Sequence, residues 1–247
     1  MPIDIAQDLK KYIPIFQQAS EQNLNEAETS LRIGKLLEDV LGYDIFKDIT
    51  KEHTIKDRYV DYAIKVDGKV VFFIEIKQAG IDLREKHIEQ ASNYAANAGV
   101  SWVALTNGRC WQLYHLSFDD GIQSDLIWSA DILSDDFKDA ASKISYLHKK
   151  SITKKEHEAY FEKIKALSPK GVVQAIFQES ILKAIRLHLK RKSGILIDEE
   201  DVVSAIKSLI SQDAWDAIGE VKVKRKRKLK KEEVPPAPAS IEPAPST

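Results

Sequence analysis

The chain of 247 residues has a single cysteine, Cys110. One thiol can close no internal disulfide and make no thiolate zinc site. Its apolar surroundings suit a small buried residue in a reducing cytosol. Long apolar runs are also missing. None approaches the roughly 18 to 20 residues that span a bilayer, so a cytoplasmic protein with no membrane contact is expected. Residues 1–11 carry acids and no apolar segment, so no secretory signal is expected. No G-x-x-x-x-G-K-[ST] loop is present, which excludes an ATP site of that kind and the motor it would drive. The histidines at 53, 87, 115, 148, 157 and 188 show no metal-ligand spacing. No serine or cysteine lies in a nucleophile-elbow pattern.

Outside one basic run, acids outnumber basic residues. Residues 222–231 contain 8 basic side chains and no acid; taking those 8 from the 37 basic residues leaves 29 against 38 acids, a net of -9. A body of that sign does not attract nucleic acid by bulk charge. Contact with DNA must come from a local basic patch, from the 222–231 run, or from metal ions that offset the acids. In that run, Lys222, Lys224, Arg225, Lys226, Arg227 and Lys228 are candidate phosphate contacts. A solubilising tail is the plainer alternative.

The hydrophobic pattern divides the chain. Residues 3–20 have helical apolar spacing, interrupted at Pro14, and residues 23–41 read as a stronger helix stopped by Gly42. Then the period changes. Strands are expected over 59–66 and 69–77, joined by the Asp67-Gly68 turn. The run Val70 to Ile74 is almost wholly apolar, as in a central strand covered on both faces. A helix over 83–98 follows, then strands over 100–106, 110–116 and 124–128. From residue 134 the pattern is helical, over 135–149, 153–167, 172–192 and 198–210, with Asp198 as the cap of the last. Five prolines between 235 and 245 mark a disordered end. The expected organisation is an α/β domain over 1–133, a mixed central sheet flanked by helices in three layers, with 3–20 as a helical leader. A helical appendage over 134–220 and a basic, proline-rich tail over 221–247 follow it.

One constellation carries chemistry. Glu75 and Lys77 are two apart on a strand, so they project from one face. A charged pair closing so apolar a strand is costly if buried to no purpose. Counting out from the turn, residue 61 falls opposite roughly residue 74 or 75, which lets Asp61 approach Glu75. Two converging carboxylates repel unless a cation lies between them. Carboxylate oxygens completed by water and phosphate suit Mg2+, with Mn2+ as an alternative, and the backbone carbonyl of Ile76 is a further donor. Lys77 would face the attacking water. On the next helix Gln90 and Tyr94, four apart, share a face.

Asp61, then Glu75-Ile76-Lys77, then Gln90-Ala91-Ser92-Asn93-Tyr94 resembles the PD-(D/E)xK nucleases with a Q-x-x-x-Y extension. The closer resemblance is to the N-terminal nuclease domain of type I restriction enzyme R subunits. Asn25-Glu26-Ala27-Glu28-Thr29, Leu41-Gly42-Tyr43, Val60-Asp61-Tyr62-Ala63 and Thr106-Asn107-Gly108 fit the same group, so the likeness covers roughly residues 20–117. It implies Asp61 and Glu75 as metal ligands supplemented by Glu26, and Lys77 as catalytic lysine. Gln90 and Tyr94 would line the site and contact the DNA backbone or order the catalytic residues. Val60 stands where the family name expects proline. The resemblance further implies DNA as substrate, and other restriction or defence subunits as partners.

Three readings follow: a metal-dependent DNA endonuclease, a nuclease fold kept for DNA or partner binding with weak or no cleavage, and an interaction protein in which the signature is coincidental.

Overall fold

The computed structural model describes residues 2–55, 58–119 and 121–210, apart from the side chains of 52–55 and 58–59. The 222–231 run and the proline-rich end lie outside them. The described residues fall into two compact units, one ending at Leu167 and the next starting at Ser168.

In the first unit, helix α1 (Ala6–Lys10) and helix α2 (Ile13–Glu21) replace the single leader expected over 3–20. Pro14 lies at the start of α2, where its missing N–H costs nothing. Helix α3 (Glu26–Asp39) is capped by Asn25, whose side chain accepts from the N–H of Glu28 at 2.9 Å. Glu26 and Glu28 then occupy its first turn, where the helix dipole favours acids.

The sheet has six strands in sequential order: β1 (Ile49–Ile55), β2 (Arg58–Val66), β3 (Lys69–Ile76), β4 (Trp102–Thr106), β5 (Cys110–Ser117) and β6 (Gln123–Asp131). All neighbours are antiparallel except β3 and β4, which run parallel. A parallel pair needs a crossover, supplied here by a short 3-10 turn (Glu85–His87) and helix α4 (Glu89–Ala98). The turn between β2 and β3 has Asp67 at φ 51° and Gly68 at φ 76°, the left-handed pair of a tight hairpin. Strand β4 is buried along its whole length and β3 over its second half, so these two are the centre of the sheet.

The two faces carry different covers. On one face Leu36, Leu37, Phe72, Ile74 and Trp111 lie in a core with residues from α1 to α3. On the other, Ala91, Tyr94 and Ala95 of α4 pack on Phe73, Val103 and Leu105. This is the mixed α/β sheet flanked by helices that the pattern implies.

The expected boundary after residue 133 falls inside this first unit. Helix α5 (Phe137–Ile144), helix α6 (Lys149–Thr153) and helix α7 (Glu156–Leu167) belong with the sheet. Ala140, Ala141, Ile144, Leu147 and Ile152 join the larger core, and the Tyr43 hydroxyl donates to the Leu147 carbonyl at 2.8 Å. Polar, amphipathic helices gave no sign in the sequence of which surface they would cover.

The second unit has its own small core of Val173, Phe177, Leu182, Val202 and Val203. The helix expected over 172–192 is two: helix α8 (Pro169–Ile176) and helix α9 (Glu179–Ser193). Gln178 is extended between them, at ψ 138°, and no proline or glycine marks the break. Helix α10 (Glu199–Lys207) follows, with Asp198 at its N-cap position.

Candidate active site

The site lies where β2 and β3 separate. Their pairing runs out at Tyr62↔Ile74, so residue 61 stands across from residue 75, the closer of the two registers expected. Beyond that rung no strand partner remains on the β2 side for the N–H of Ile76. Asp61 takes that place: its Oδ2 accepts from the Ile76 N–H at 2.6 Å. An amide and carbonyl of one strand residue leave the same edge, so the Ile76 carbonyl also faces the side from which Asp61 approaches.

Glu75 is 4% exposed, an unusual place for a carboxylate. Its Oε1 accepts from Nζ of Lys77 at 2.7 Å, which settles that the two side chains share one face. Burial pushes the Glu75 carboxyl up to about 7; the Lys77 hydrogen bond opposes this, while the charges of Asp61 and Glu26 add to it. For Lys77, burial works downward, yet the hydrogen bond to Glu75 and the charges of Glu75, Glu26 and Asp61 outweigh it and hold the ammonium above its ordinary value. Lys77 is therefore a cation in this arrangement.

Glu26 approaches from α3, with its carboxylate 3.7 Å from Nζ of Lys77. It is more than half exposed. Its position depends on the strap that follows β3: the N–H of Ala79 donates to the Leu24 carbonyl at 3.0 Å and to Thr29 Oγ1 at 3.2 Å. From the other side the Lys77 N–H donates to the Thr106 carbonyl at 2.8 Å. Asn107 donates to the Ile81 carbonyl at 2.7 Å, tying the turn after β4 to the same strap. Gly108, at φ 87°, sits where a Cβ would run into the Phe16 ring. Thr29 and Asn107, which the sequence offered only within family-like segments and with no role, hold this strap through a buried hydroxyl and a buried amide.

Gln90 and Tyr94 part company. Gln90, in the first turn of α4, is exposed. Tyr94 is 1% exposed, with its ring edge-on to Phe73 at 4.9 Å. It has no surface to offer a DNA backbone; it holds α4 against the strand that carries Glu75. His87, one turn before Gln90, feels the charges of Lys77 and Glu26. Its pKa is lowered by burial first and then by the cations around it.

The donor set fits a hard divalent cation. Asp61, Glu75 and the Ile76 carbonyl offer oxygen only, and Mg2+ commonly uses one or two carboxylates with the rest water and phosphate. Among the described residues no three His, Cys, Asp or Glu side chains converge closely enough to hold a metal by themselves. Any such ion must draw ligands from solvent or substrate. No helix among them is long and apolar enough to cross a membrane.

No curated protein and no solved structure matches the chain. A family model does match, over residues 35–126, less than half the chain but all of β1 to β5, the start of β6, α4, and Asp61, Glu75 and Lys77. Over that stretch the protein is similar to the N terminus of type I restriction enzyme R proteins.

Proposed function

We propose that the chain is a metal-dependent endonuclease of the PD-(D/E)xK type that hydrolyses DNA phosphodiesters. The observation that carries this reading is the buried Glu75, paired with Lys77 at 2.7 Å and facing Asp61 where β2 and β3 separate. A structural ion pair has no need of a second acid, and the Asp61 charge makes the Glu75 carboxylate harder to ionise.

Asp61, Glu75 and the Ile76 carbonyl would hold Mg2+ or Mn2+, with Glu26 as an outer supplement. The bound cation would lower the pKa of a coordinated water and offset charge building on the phosphate. Lys77, protonated, would orient that water and stabilise the phosphate oxygens. Gln90, exposed at the start of α4, would contact the DNA backbone. Tyr94 would act by position, through Phe73. The basic side chains of Lys222, Lys224, Arg225, Lys226, Arg227 and Lys228 would add phosphate contacts. Other restriction subunits are the partners this family reading suggests, and the cytoplasm the compartment.

The test is plasmid cleavage in Mg2+ or Mn2+, beside Lys77→Ala. Loss of cleavage by about two to three powers of ten, with an unchanged circular dichroism spectrum, is the expected outcome. Cleavage that survives the substitution sinks the assignment. A second reading, a DNA-binding module with weak or no cleavage, is favoured by one observation: Lys77 already occupies an oxygen of Glu75. It expects duplex binding without metal-dependent nicking.

A further inference from the structure

Helix α9 breaks the acidic character of the chain. Between Lys183 and Lys192 it carries five basic side chains and no acid. Lys183, Arg186, Leu187 and Lys190 recur at the spacing of a single helix face. They line a cavity of about 240 Å³ that Leu196 and Ile197 complete. Arg186 is fixed there: Nε donates to the Ile197 carbonyl at 3.1 Å, and its guanidinium lies 3.5 Å from Glu199. Lys183, Lys190, Arg191 and Lys192 are exposed and make no ion pair among the described residues.

Cations in the last turn of a helix complement its dipole, and that accounts for Lys190, Arg191 and Lys192. It does not account for Lys183 in the second turn or Arg186 in the middle. An amphipathic surface helix would also spread acids among its cations, and here they are segregated.

We propose that this face of α9 is a second DNA contact, a groove that takes the sugar-phosphate backbone of a duplex. Lys183 and Lys190 meet phosphates, and the aliphatic walls of Leu187 and Leu196 take the sugar. The choice of a duplex rests on what surrounds the cations. No Phe, Tyr or Trp occurs from Gln178 to Ile210, so the surface lacks the stacking platform that single-strand binders use. The seven helical rises from Lys183 to Lys190 span about 10 Å. About six phosphate charges lie along that length of duplex axis. The proposal rests on the DNA reading of the nuclease-like site.

The test uses the full chain in EDTA, so that no cleavage intervenes, and a fluorescent 30-base-pair duplex titrated by anisotropy across a KCl series. Lys183→Ala/Lys190→Ala should lower the slope of log K against log salt by about 1.8. It should weaken binding at 0.1 M salt roughly sixtyfold, the counterion-release value for two phosphate contacts. Lys183→Arg/Lys190→Arg should keep the wild-type slope. If the alanine pair binds the duplex with an unchanged slope, α9 is not a DNA contact. An acidic protein segment then becomes the occupant to seek, and the nuclease reading stands. If the wild-type chain binds no duplex at all, both readings fall.

Discussion

Glu75 should make the protein less stable as the pH rises, and replacing it with glutamine should remove that penalty. In the folded chain its carboxyl is pushed up to about 7, from an ordinary value of 4.5, chiefly by burial. The folded state then holds a proton that the unfolded state has released, over the window between those two values. Stability from this group is therefore fully present below about 4.5 and lost as pH rises through 7. At 4% exposure there is little solvent screening to discount. A shift from 4.5 to about 7 corresponds to about 3 kcal/mol in full, and to about 2.5 kcal/mol between pH 5 and pH 8. Glutamine keeps an oxygen for the Lys77 ammonium and cannot ionise. Urea denaturation of wild type and Glu75→Gln, in EDTA at pH 5, 6, 7 and 8, reads the difference, and other titrating groups cancel in it. The variant should gain on wild type by about 2.5 kcal/mol across the series. A gap that stays flat, or one that widens toward acid, refutes the claim that Glu75 is a buried carboxylate held beside Asp61.

Metal binding should reverse that penalty. Mg2+ at one hundred times its Kd should stabilise the wild type by about 2.7 kcal/mol at pH 8. At pH 5, where Glu75 keeps its proton, and in Glu75→Gln, most of that gain should vanish; equal gains in all three would place the ion elsewhere. Gly108→Ala should cost about 3 kcal/mol, because the backbone sits at φ 87° and the new methyl meets the Phe16 ring. A melting scan should show a fall of roughly 9 °C. A fall under about 2 °C would mean the turn after β4 yields easily. Tyr94→Ala should lose about 3 to 5 kcal/mol in denaturant, as a large buried ring does when truncated. A loss below about 1 kcal/mol would return Tyr94 to the surface.

The legible parts of the sequence were those in which period and local chemistry agree. The run Val70 to Ile74 announced a central strand, and it lies second to sixth in β3 with Glu75 buried at its end. Asp67-Gly68 announced the hairpin that sets residue 61 across from residue 75. Strand β1 was missed because Lys51, Glu52 and His53 interrupt its apolar alternation. An edge strand with a single neighbour needs little of that alternation. The split between α8 and α9 was missed for a related reason: an apolar stripe runs through it, and Gln178 breaks the helix by backbone angle alone. The site shows the same limit in finer detail. The spacing of Gln90 and Tyr94 fixes that they share a helix face, and it cannot fix how far that face is sunk into the protein. Ala91 and Ala95, small residues flanking Tyr94 in the core against Phe73 and Val103, let α4 sit close to the sheet. That closeness takes Tyr94 from solvent and leaves Gln90, a turn nearer the end of the helix, outside. One motif therefore yields two roles, a buried ring that sets the depth of α4 over Glu75 and an exposed amide at the start of the same helix.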